Sequence, residues 1–159
     1  MESEIGVIKG FSAGKIWLEM STTSKSEVLR ISKLVSEIGG YSADCPVSGC
    51  CHKDATWNIS IFAGCNREVF EKIKSILFIM GKKVLHTGNL GTASVLKVMT
   101  NYLATANLVS CCEALTTMKG EGLDLAKTFE AIKISSGNSF VHETESQVIL
   151  NGSRNINFT

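Results

Sequence analysis

Proline and aromatic residues are scarce in this chain. Pro46 is the single proline among 159 residues, and aromatic side chains make up 7% of the composition. The net charge is only +1, and the lysines and arginines are scattered rather than clustered. Such a charge pattern lacks the basic surface that binds nucleic acid or an anionic membrane. We therefore expect no nucleic-acid or membrane partner, which leaves small-molecule chemistry or protein contact.

Long hydrophobic segments are absent as well. The longest uninterrupted apolar run, at residues 76–80, is far shorter than the roughly 20 residues that span a bilayer. Glu2 and Glu4 stand where a secretory signal peptide needs basic residues. Because 44% of the residues are apolar, the chain can still bury a core. These features predict a soluble cytoplasmic protein, with an organellar matrix as the alternative.

No C-x-x-C pair occurs among the cysteines, and two of the cysteine pairs are adjacent in the sequence. Adjacent cysteines rarely form a disulfide, so we expect reduced thiols. A zinc-binding module is an alternative, in which His52 would join four cysteines: Cys45, Cys50, Cys51 and Cys65. Structural zinc sites favour ligands two to four residues apart on knuckle turns, which disfavours this alternative. Cys111 and Cys112 are expected to pack as small apolar side chains.

The first 90 residues alternate between strand and helix patterns. Strand-forming runs occur at residues 16–20, 41–47, 57–63 and 83–86. Between them, Ser24 opens a helix that ends at Gly39, and Asn66 opens a second helix that ends at Gly81. The run YSADCPV should stop as a strand at Pro46, because proline cannot donate to a central ladder. This alternation predicts an α/β unit with a parallel sheet.

The chain changes character after Gly91. Residues 92–118 contain no glycine or proline and carry apolar side chains all around the helical wheel, which predicts a long helix buried among partners. A further helix should follow an N-cap at Asp124, and Glu143 and Glu145 are expected on a solvated helix face. The fold class is therefore α/β followed by all-α, with the division at residues 90/91.

Lys97 stands out on the long helix because its neighbours are apolar. An ammonium group in such surroundings costs several kcal/mol unless it is paired or deprotonated. Asn101 lies four residues on and shares the same helix face. An amine and an amide placed side by side can bind a substrate oxygen and exchange a proton with it. The alternative is a lysine that extends to solvent at the helix start.

The stretch HTGNLGTASVLKVMTN, residues 86–101, resembles a segment of the β-hydroxyacid dehydrogenase family, the group of 3-hydroxyisobutyrate dehydrogenase and tartronate semialdehyde reductase. The family pattern is G-x-x-G-x-G-x-x-x-K-x-x-N-N, in which the lysine is catalytic. Four residues match it: Gly88, Gly91, Lys97 and Asn101. Ala93 replaces the third glycine, and Thr100 replaces the first asparagine.

Two further segments are similar to motifs of the same family. DCPVSG, residues 44–49, matches the strand end D-x-P-V-S-G-G, in which a serine hydroxyl and glycine amides bind the substrate carboxylate. The resemblance assigns this role to Ser48, Gly49 and the amide of Cys50, which replaces the last glycine. EMSTTS, residues 19–24, resembles the turn D-x-S-T-x-x-P beside the cofactor, which assigns cofactor contacts to Ser21 and Thr22. Gly91 is assigned to the cofactor as well.

The resemblance implies an oxidoreductase that transfers a hydride between NAD or NADP and a short-chain 3-hydroxy acid or its semialdehyde. Residues 1–90 would be part of a Rossmann-type NAD(P)-binding domain, and residues 91–159 part of an all-helical domain. The family's phosphate-binding glycine turn and its last helices have no counterpart in the sequence, so we expect an internal fragment that is inactive by itself. The full-length enzyme is expected to be a homo-oligomer. The alternative is a non-catalytic assembly domain derived from such a dehydrogenase.

Overall fold

The computed structural model describes residues 6–49 and 59–153. A short 3-10 turn (Val7–Gly10) precedes strand β1 (Ile16–Glu19) and helix α1 (Lys25–Glu37). Strands β2 (Tyr41–Asp44), β3 (Val47–Ser48) and β4 (Ser60–Gly64) lead to helix α2 (Arg67–Met80) and strand β5 (Lys83–Gly88). The remaining elements are helices α3 (Thr92–Gly120) and α4 (Leu125–Lys133), a π-helical turn (His142–Ser146) and helix α5 (Gln147–Leu150). This order confirms the α/β part followed by helices.

The helix starts confirm the predicted caps. The Ser24 hydroxyl accepts a hydrogen bond from the Glu27 N–H at 3.2 Å at the start of α1. Asn66 caps α2 in the same way through the N–H of Val69, and Asp124 caps α4 through the N–H of Lys127, both at 2.9 Å. These side chains satisfy main-chain donors that have no partner within the helix.

The sheet is mixed rather than parallel. β1 pairs in parallel with β2, and β4 pairs in parallel with β5. However, β2 and β3 both run antiparallel to β4. Eleven residues separate β3 from β4. Antiparallel strands can be joined by a loop alone, whereas a parallel pair needs a crossover of a dozen or more residues and usually a helix.

Pro46 interrupts the strand as predicted, but the chain stays paired with the sheet after the proline. β2 stops at Asp44, and β3 resumes directly after the proline at Val47. The Pro46 carbonyl still accepts a hydrogen bond from the N–H of Phe62 in β4 at 3.1 Å. The proline therefore removes a donor from the ladder while the chain continues along β4.

One apolar core joins the sheet to α2. Nine buried residues form it: Ala43, Cys45, Ile61, Ala63, Cys65, Val69, Phe70, Ile73 and Leu77. The side chains of α2 at this core recur at the helical spacing that the sequence shows. On α1, Val28, Ile31 and Val35 are buried.

Helix α3 is longer by two residues than predicted, and its apolar side chains are less covered than predicted. Several of them are between 41% and 65% exposed in this chain: Val95, Leu96, Val98, Met99, Tyr102, Leu103 and Val109. None of the helices within residues 6–49 and 59–153 has the length and apolar character to cross a membrane.

The chain separates into two compact units, Met1–Met99 and Thr100–Thr159, so the change of unit falls inside α3. The domain boundary at residues 90/91 stays a prediction.

We predict that two buried thiols in the core make the protein less stable at alkaline pH. Burial, reinforced by neighbouring acidic groups, raises the pKa of Cys45 from 9.0 to about 12 and that of Cys65 to about 11. Above pH 9 the unfolded thiols lose their protons while the folded ones keep them, so the free energy of unfolding should fall as pH rises towards 11.

Urea denaturation at about pH 8 and about pH 10.5 measures this change. The matched control is the double variant Cys45→Ala, Cys65→Ala, in which the decline between the two pH values should be smaller. An equal decline in both proteins would contradict the effect of these thiols.

Candidate functional site

The ends of four strands converge around Asp44. Glu19 at the end of β1 pairs with Asp44 at the end of β2, and Asp44 pairs in turn with Gly64 at the end of β4. Gly64 also pairs with Gly88 at the end of β5. Ligands of open α/β sheets bind beyond the carboxyl ends of the strands, so this convergence marks the edge where a site is expected.

The Asp44 carboxylate holds the start of α3. Its Oδ1 accepts a hydrogen bond from the Gly91 N–H, and its Oδ2 accepts one from the Ser94 N–H, both at 2.7 Å. Asp44 is fully buried, and Ser94 is 1% exposed. The partial positive charge of a helix N-terminus stabilises a carboxylate at this position. Asp44 therefore joins the DCPVSG segment to the helix that carries Lys97.

Gly91 needs to be glycine for two reasons. Its φ of +88° lies in the left-handed region that side chains disfavour. A Cβ at this position would lie 2.7 Å from Cγ of Lys25, the first residue of α1. The Gly91 N–H is donated to Asp44, so it is not available to a cofactor in this arrangement. The Lys25 side chain over Gly91 brings the EMSTTS segment next to the start of α3.

Gly64 leaves the space that Asp44 fills. A Cβ on Gly64 would overlap Oδ1 of Asp44 and would lie 3.0 Å from its Cγ and 3.1 Å from the main-chain nitrogen of Ala93. Any side chain here would push Asp44 away from the helix or the helix away from the sheet. The close approach of strand and helix therefore depends on this glycine.

We predict that Gly64→Ala lowers the free energy of unfolding by about 1–3 kcal/mol, because the added methyl group enters filled space. Gly120→Ala is the matched control, since a Cβ there meets nothing within 4 Å and Gly120 ends a helix, where alanine is favoured. Chemical denaturation followed by circular dichroism measures both variants. Equal stability of the two would contradict the packing at Gly64.

Glu19 shapes the EMSTTS turn. Its Oε1 accepts a hydrogen bond from the Ser21 N–H at 2.9 Å and another from the Ser21 hydroxyl. Ser21 and Thr22 are exposed beyond the end of β1. Glu19 thus serves as the acidic residue of the turn, although the family pattern has aspartate there. Thr22 therefore lies exposed next to a residue, Ser21, that Glu19 holds in place.

Lys97 and Asn101 lie one turn apart on α3, and both are half-buried. Exposed apolar side chains surround Lys97, including Leu96 and Val98. The main-chain carbonyl of Asn101 accepts a hydrogen bond from the Thr105 hydroxyl at 3.0 Å. Residues four positions apart share a helix face. The joint role of Lys97 and Asn101 at a substrate oxygen stays a prediction.

Ser48 and Gly49 follow Pro46 at the other end of β4. Ser48 is half-buried and pairs with Ser60 in the antiparallel ladder, and Gly49 is exposed. Cys50, the third predicted carboxylate contact, lies outside the described residues. A serine and a glycine therefore lie at this strand end, and their assignment to a substrate stays a prediction.

A second polar cluster lies in the C-terminal helical unit. The Nε2–H of His142 donates to the Phe129 carbonyl at 3.0 Å, which leaves Nδ1 to accept from the Cys111 thiol or the Ser146 hydroxyl, each at 3.1 Å. Cys111 is therefore hydrogen-bonded, not simply packed as an apolar side chain. Glu145 is only 3% exposed, which corrects its predicted place on a solvated face. The π-helical turn changes the helical period and brings Glu145 inward.

The zinc-binding alternative finds no support in residues 6–49 and 59–153. No three histidine, cysteine, aspartate or glutamate side chains come together there as metal ligands would. Cys45 and Cys65 are buried core thiols. Cys50, Cys51 and His52 lie outside this part of the chain, so a zinc site that included them stays untested.

Asp44 and Lys25 are parts of the site that were not predicted from the sequence. Asp44 lies in the DCPVSG segment and Lys25 directly follows the EMSTTS segment, and in both places the family motifs draw attention to the serine and threonine hydroxyls. A buried acid directly before C-P was a usable signal for Asp44, since a buried carboxylate requires donors. No local signal pointed to the contact of Lys25 with Gly91, because the two residues are far apart in the sequence.

Two family models match nearly the whole chain. Residues 1–88 match the NAD-binding domain of 6-phosphogluconate dehydrogenase, and residues 91–159 match the NAD-binding domain of NADP-dependent 3-hydroxyisobutyrate dehydrogenase. The first of these matches covers more than half of the chain.

Curated relatives and solved structures agree with these matches. The chain is 34% identical to 2-(hydroxymethyl)glutarate dehydrogenase of Eubacterium barkeri over 140 residues, which are 88% of this chain and 46% of that protein. It is 28% identical to 2-hydroxy-3-oxopropionate reductase of Escherichia coli K12, over 98% of this chain and 53% of that protein. The structure of Psf3 in complex with NADP+ and 2-OPP has a TM-score of 0.85 at 22% identity, over 93% of this chain and 52% of that one. This chain spans about half the length of the relatives that it matches.

Proposed function

We propose, from the premise that this chain belongs to the β-hydroxyacid dehydrogenase family, that the protein transfers a hydride between a nicotinamide dinucleotide and a short-chain hydroxy acid. Members of this family include enzymes named as dehydrogenases of hydroxy acids and reductases of the matching carbonyl compounds. Both family models describe NAD-binding domains, which supports NAD or NADP as the cofactor. The single observation that carries the proposal is the position of Lys97, on an intact helix whose first turn is fixed by Asp44.

The described residues fit a nicotinamide cofactor at the end of β1. Ser21 and Thr22 are exposed there, beyond the carboxyl end of a parallel strand, where dinucleotides bind in such sheets. The start of α3 does not fit as a phosphate site, because the Asp44 carboxylate already accepts its N–H groups. When bound, the cofactor would supply or accept the hydride. Gly91 would contribute by shaping the turn between β5 and α3 rather than through its N–H.

Lys97 would move the proton. During oxidation the neutral amine would take the proton from the substrate hydroxyl, while the carbon that bears this hydroxyl loses a hydride to the nucleotide. During reduction the ammonium would return the proton to the carbonyl oxygen. Asn101, one turn along, would orient that oxygen with its amide.

Ser48 and Gly49 would hold the substrate carboxylate, together with the amide of Cys50. A hydroxyl and main-chain N–H groups suit a carboxylate, since hydrogen bonds to a charged acceptor are stronger than neutral ones. Fixing the carboxylate would present one face of the substrate carbon to the cofactor. The side chain of Cys50, in place of glycine, would narrow the pocket and favour small acids.

An assay of the protein translated from the intact reading frame tests this proposal. Hydroxyisobutyrate, threonate and other short 3-hydroxy acids are offered with NAD+ and with NADP+, and reduced nucleotide is followed by its absorbance. We expect turnover with at least one acid and one nucleotide. We expect no turnover with an alcohol that has the same carbon skeleton as that acid but lacks the carboxylate. Failure of every acid with both nucleotides would contradict the proposal.

A non-catalytic assembly domain is the second candidate. The exposed apolar side chains of α3 favour a protein partner, because contiguous apolar surface marks interaction sites. The same surface supports the expected homo-oligomer of an active enzyme. A protein that forms a defined oligomer in light scattering but turns over none of the acids would favour the assembly role.

A further inference from the structure

We propose that Asp44 is a positioning residue that sets the location of Lys97 for proton transfer. Its carboxylate fastens the first turn of α3 to the end of β2, which continues through Pro46 to Ser48. The inference rests on the proposed function, because it gives Asp44 a role only through the proton that Lys97 moves.

Asp44 does for α3 what a capping box does within a helix. Gly91 precedes the first helical residue, Thr92, and has no side chain to accept the N–H of Ser94. Oδ2 of Asp44 takes that N–H, and Oδ1 takes the N–H of Gly91 itself. In a capping box, two side chains of the helix provide these two acceptors. Here one carboxylate from a neighbouring strand provides both, so the cap also fixes the helix to the sheet.

The fixed turn determines where Lys97 lies. Lys97 lies three positions after Ser94, which is a rise of about 4.5 Å and slightly less than one full turn. A helix transmits a displacement of its first turn to the next one, because its hydrogen bonds keep it rigid. Since a shift of about 1 Å at a reacting group can cost on the order of 100-fold in rate, small changes at Asp44 should reach the chemistry.

The neighbours of Asp44 restrict it to this one position. Gly64 leaves space for the carboxylate only because it lacks a Cβ, and the adjacent Cys45 N–H donates to the Glu19 carbonyl at 2.6 Å. The side chain is fully buried, so bulk water does not reach its oxygens. Asp44 therefore connects the segment assigned to the substrate carboxylate with the helix assigned to proton transfer.

The test is Asp44→Asn in the protein translated from the intact reading frame. Asparagine has the same size but turns one acceptor into an NH2 group, which faces a main-chain N–H. We expect kcat to fall by about 10- to 100-fold while KM changes by less than about threefold and nucleotide affinity is unchanged. Asp124→Asn is the matched control, since Asp124 caps α4 with the same chemistry and has no contact with the start of α3 among the described hydrogen bonds. Its kcat should stay within about twofold of the unchanged protein.

Gly64→Ala is the second variant, because it displaces Asp44 without removing its charge. It should show the same selective loss of kcat, and it decides the question if Asp44→Asn does not fold. The role of Asp44 would be overturned if the kcat of the folded variant, Asp44→Asn or otherwise Gly64→Ala, stayed within about twofold of that of the unchanged protein. It would also be overturned if the loss of kcat vanished after correction for the folded fraction. Lys97→Ala is measured alongside. If that variant is inactive while Asp44→Asn is fully active, only the positioning role fails; if the unchanged protein transfers no hydride, the proposed function fails.

Discussion

Replacing Lys97 with alanine should lower kcat by about 100- to 10,000-fold in the protein translated from the intact reading frame. This range is what a positioned general acid or base contributes to a rate. Affinity for the dinucleotide should be unchanged, because the proposed cofactor contacts lie after β1 and not on α3. Steady-state kinetics in both directions, with nucleotide binding followed by fluorescence, measures the two quantities separately.

Lys119→Ala provides the matched control for this variant. Lys119 lies on the same helix, in its last turn, and is exposed. The substitution removes the same charge from α3 without touching the proposed site, so kcat should not change. Near-normal turnover of the Lys97 variant, or an equal loss in both variants, would contradict the assignment of Lys97.

Ile73→Ala should lower the free energy of unfolding by about 2–5 kcal/mol. Ile73 lies on α2, is 4% exposed and belongs to the core that supports the sheet. Truncation to alanine removes buried apolar surface and leaves a cavity that the neighbours fill only in part. Urea denaturation followed by circular dichroism measures the change.

Ile79→Ala is a closely matched control, because it makes the same substitution on the same helix. Ile79 is 80% exposed, so its truncation should change the free energy of unfolding by no more than about 0.5 kcal/mol. The higher helix propensity of alanine acts equally on both variants and cancels in the comparison. Equal destabilisation of the two variants would show that α2 packs with a different face.

The helices could be predicted from the sequence because their signals are local. Ser24, Asn66 and Asp124 each cap a helix whose first residues lie within three positions of the cap. The buried side chains of α2 follow the spacing of one helix face. The predicted pairing direction of β4 with β2 and β3 was wrong, because a strand pattern indicates which residues face the core and not the direction of the neighbouring strand.

The contacts that build the site could not be predicted, because they join distant parts of the chain. Asp44 binds N–H groups that lie 47 and 50 residues further along, and no periodic pattern reports such a contact. Gly91 was assigned to the cofactor by resemblance, whereas its N–H belongs to Asp44 in this structure. The position of Glu145 was wrongly predicted because it lies within a π-helical turn, whose period differs from that of an α-helix.

The most direct test of hydride transfer is to follow the hydrogen on the carbon that bears the substrate hydroxyl. A hydroxy acid that carries deuterium at that carbon is incubated with NAD+ or NADP+ and the protein translated from the intact reading frame, and the reduced nucleotide is analysed by mass spectrometry. We predict a reduced nucleotide that contains one deuterium from the substrate. Reduced nucleotide without deuterium, or no reduced nucleotide with any acid that the protein binds, would contradict hydride transfer.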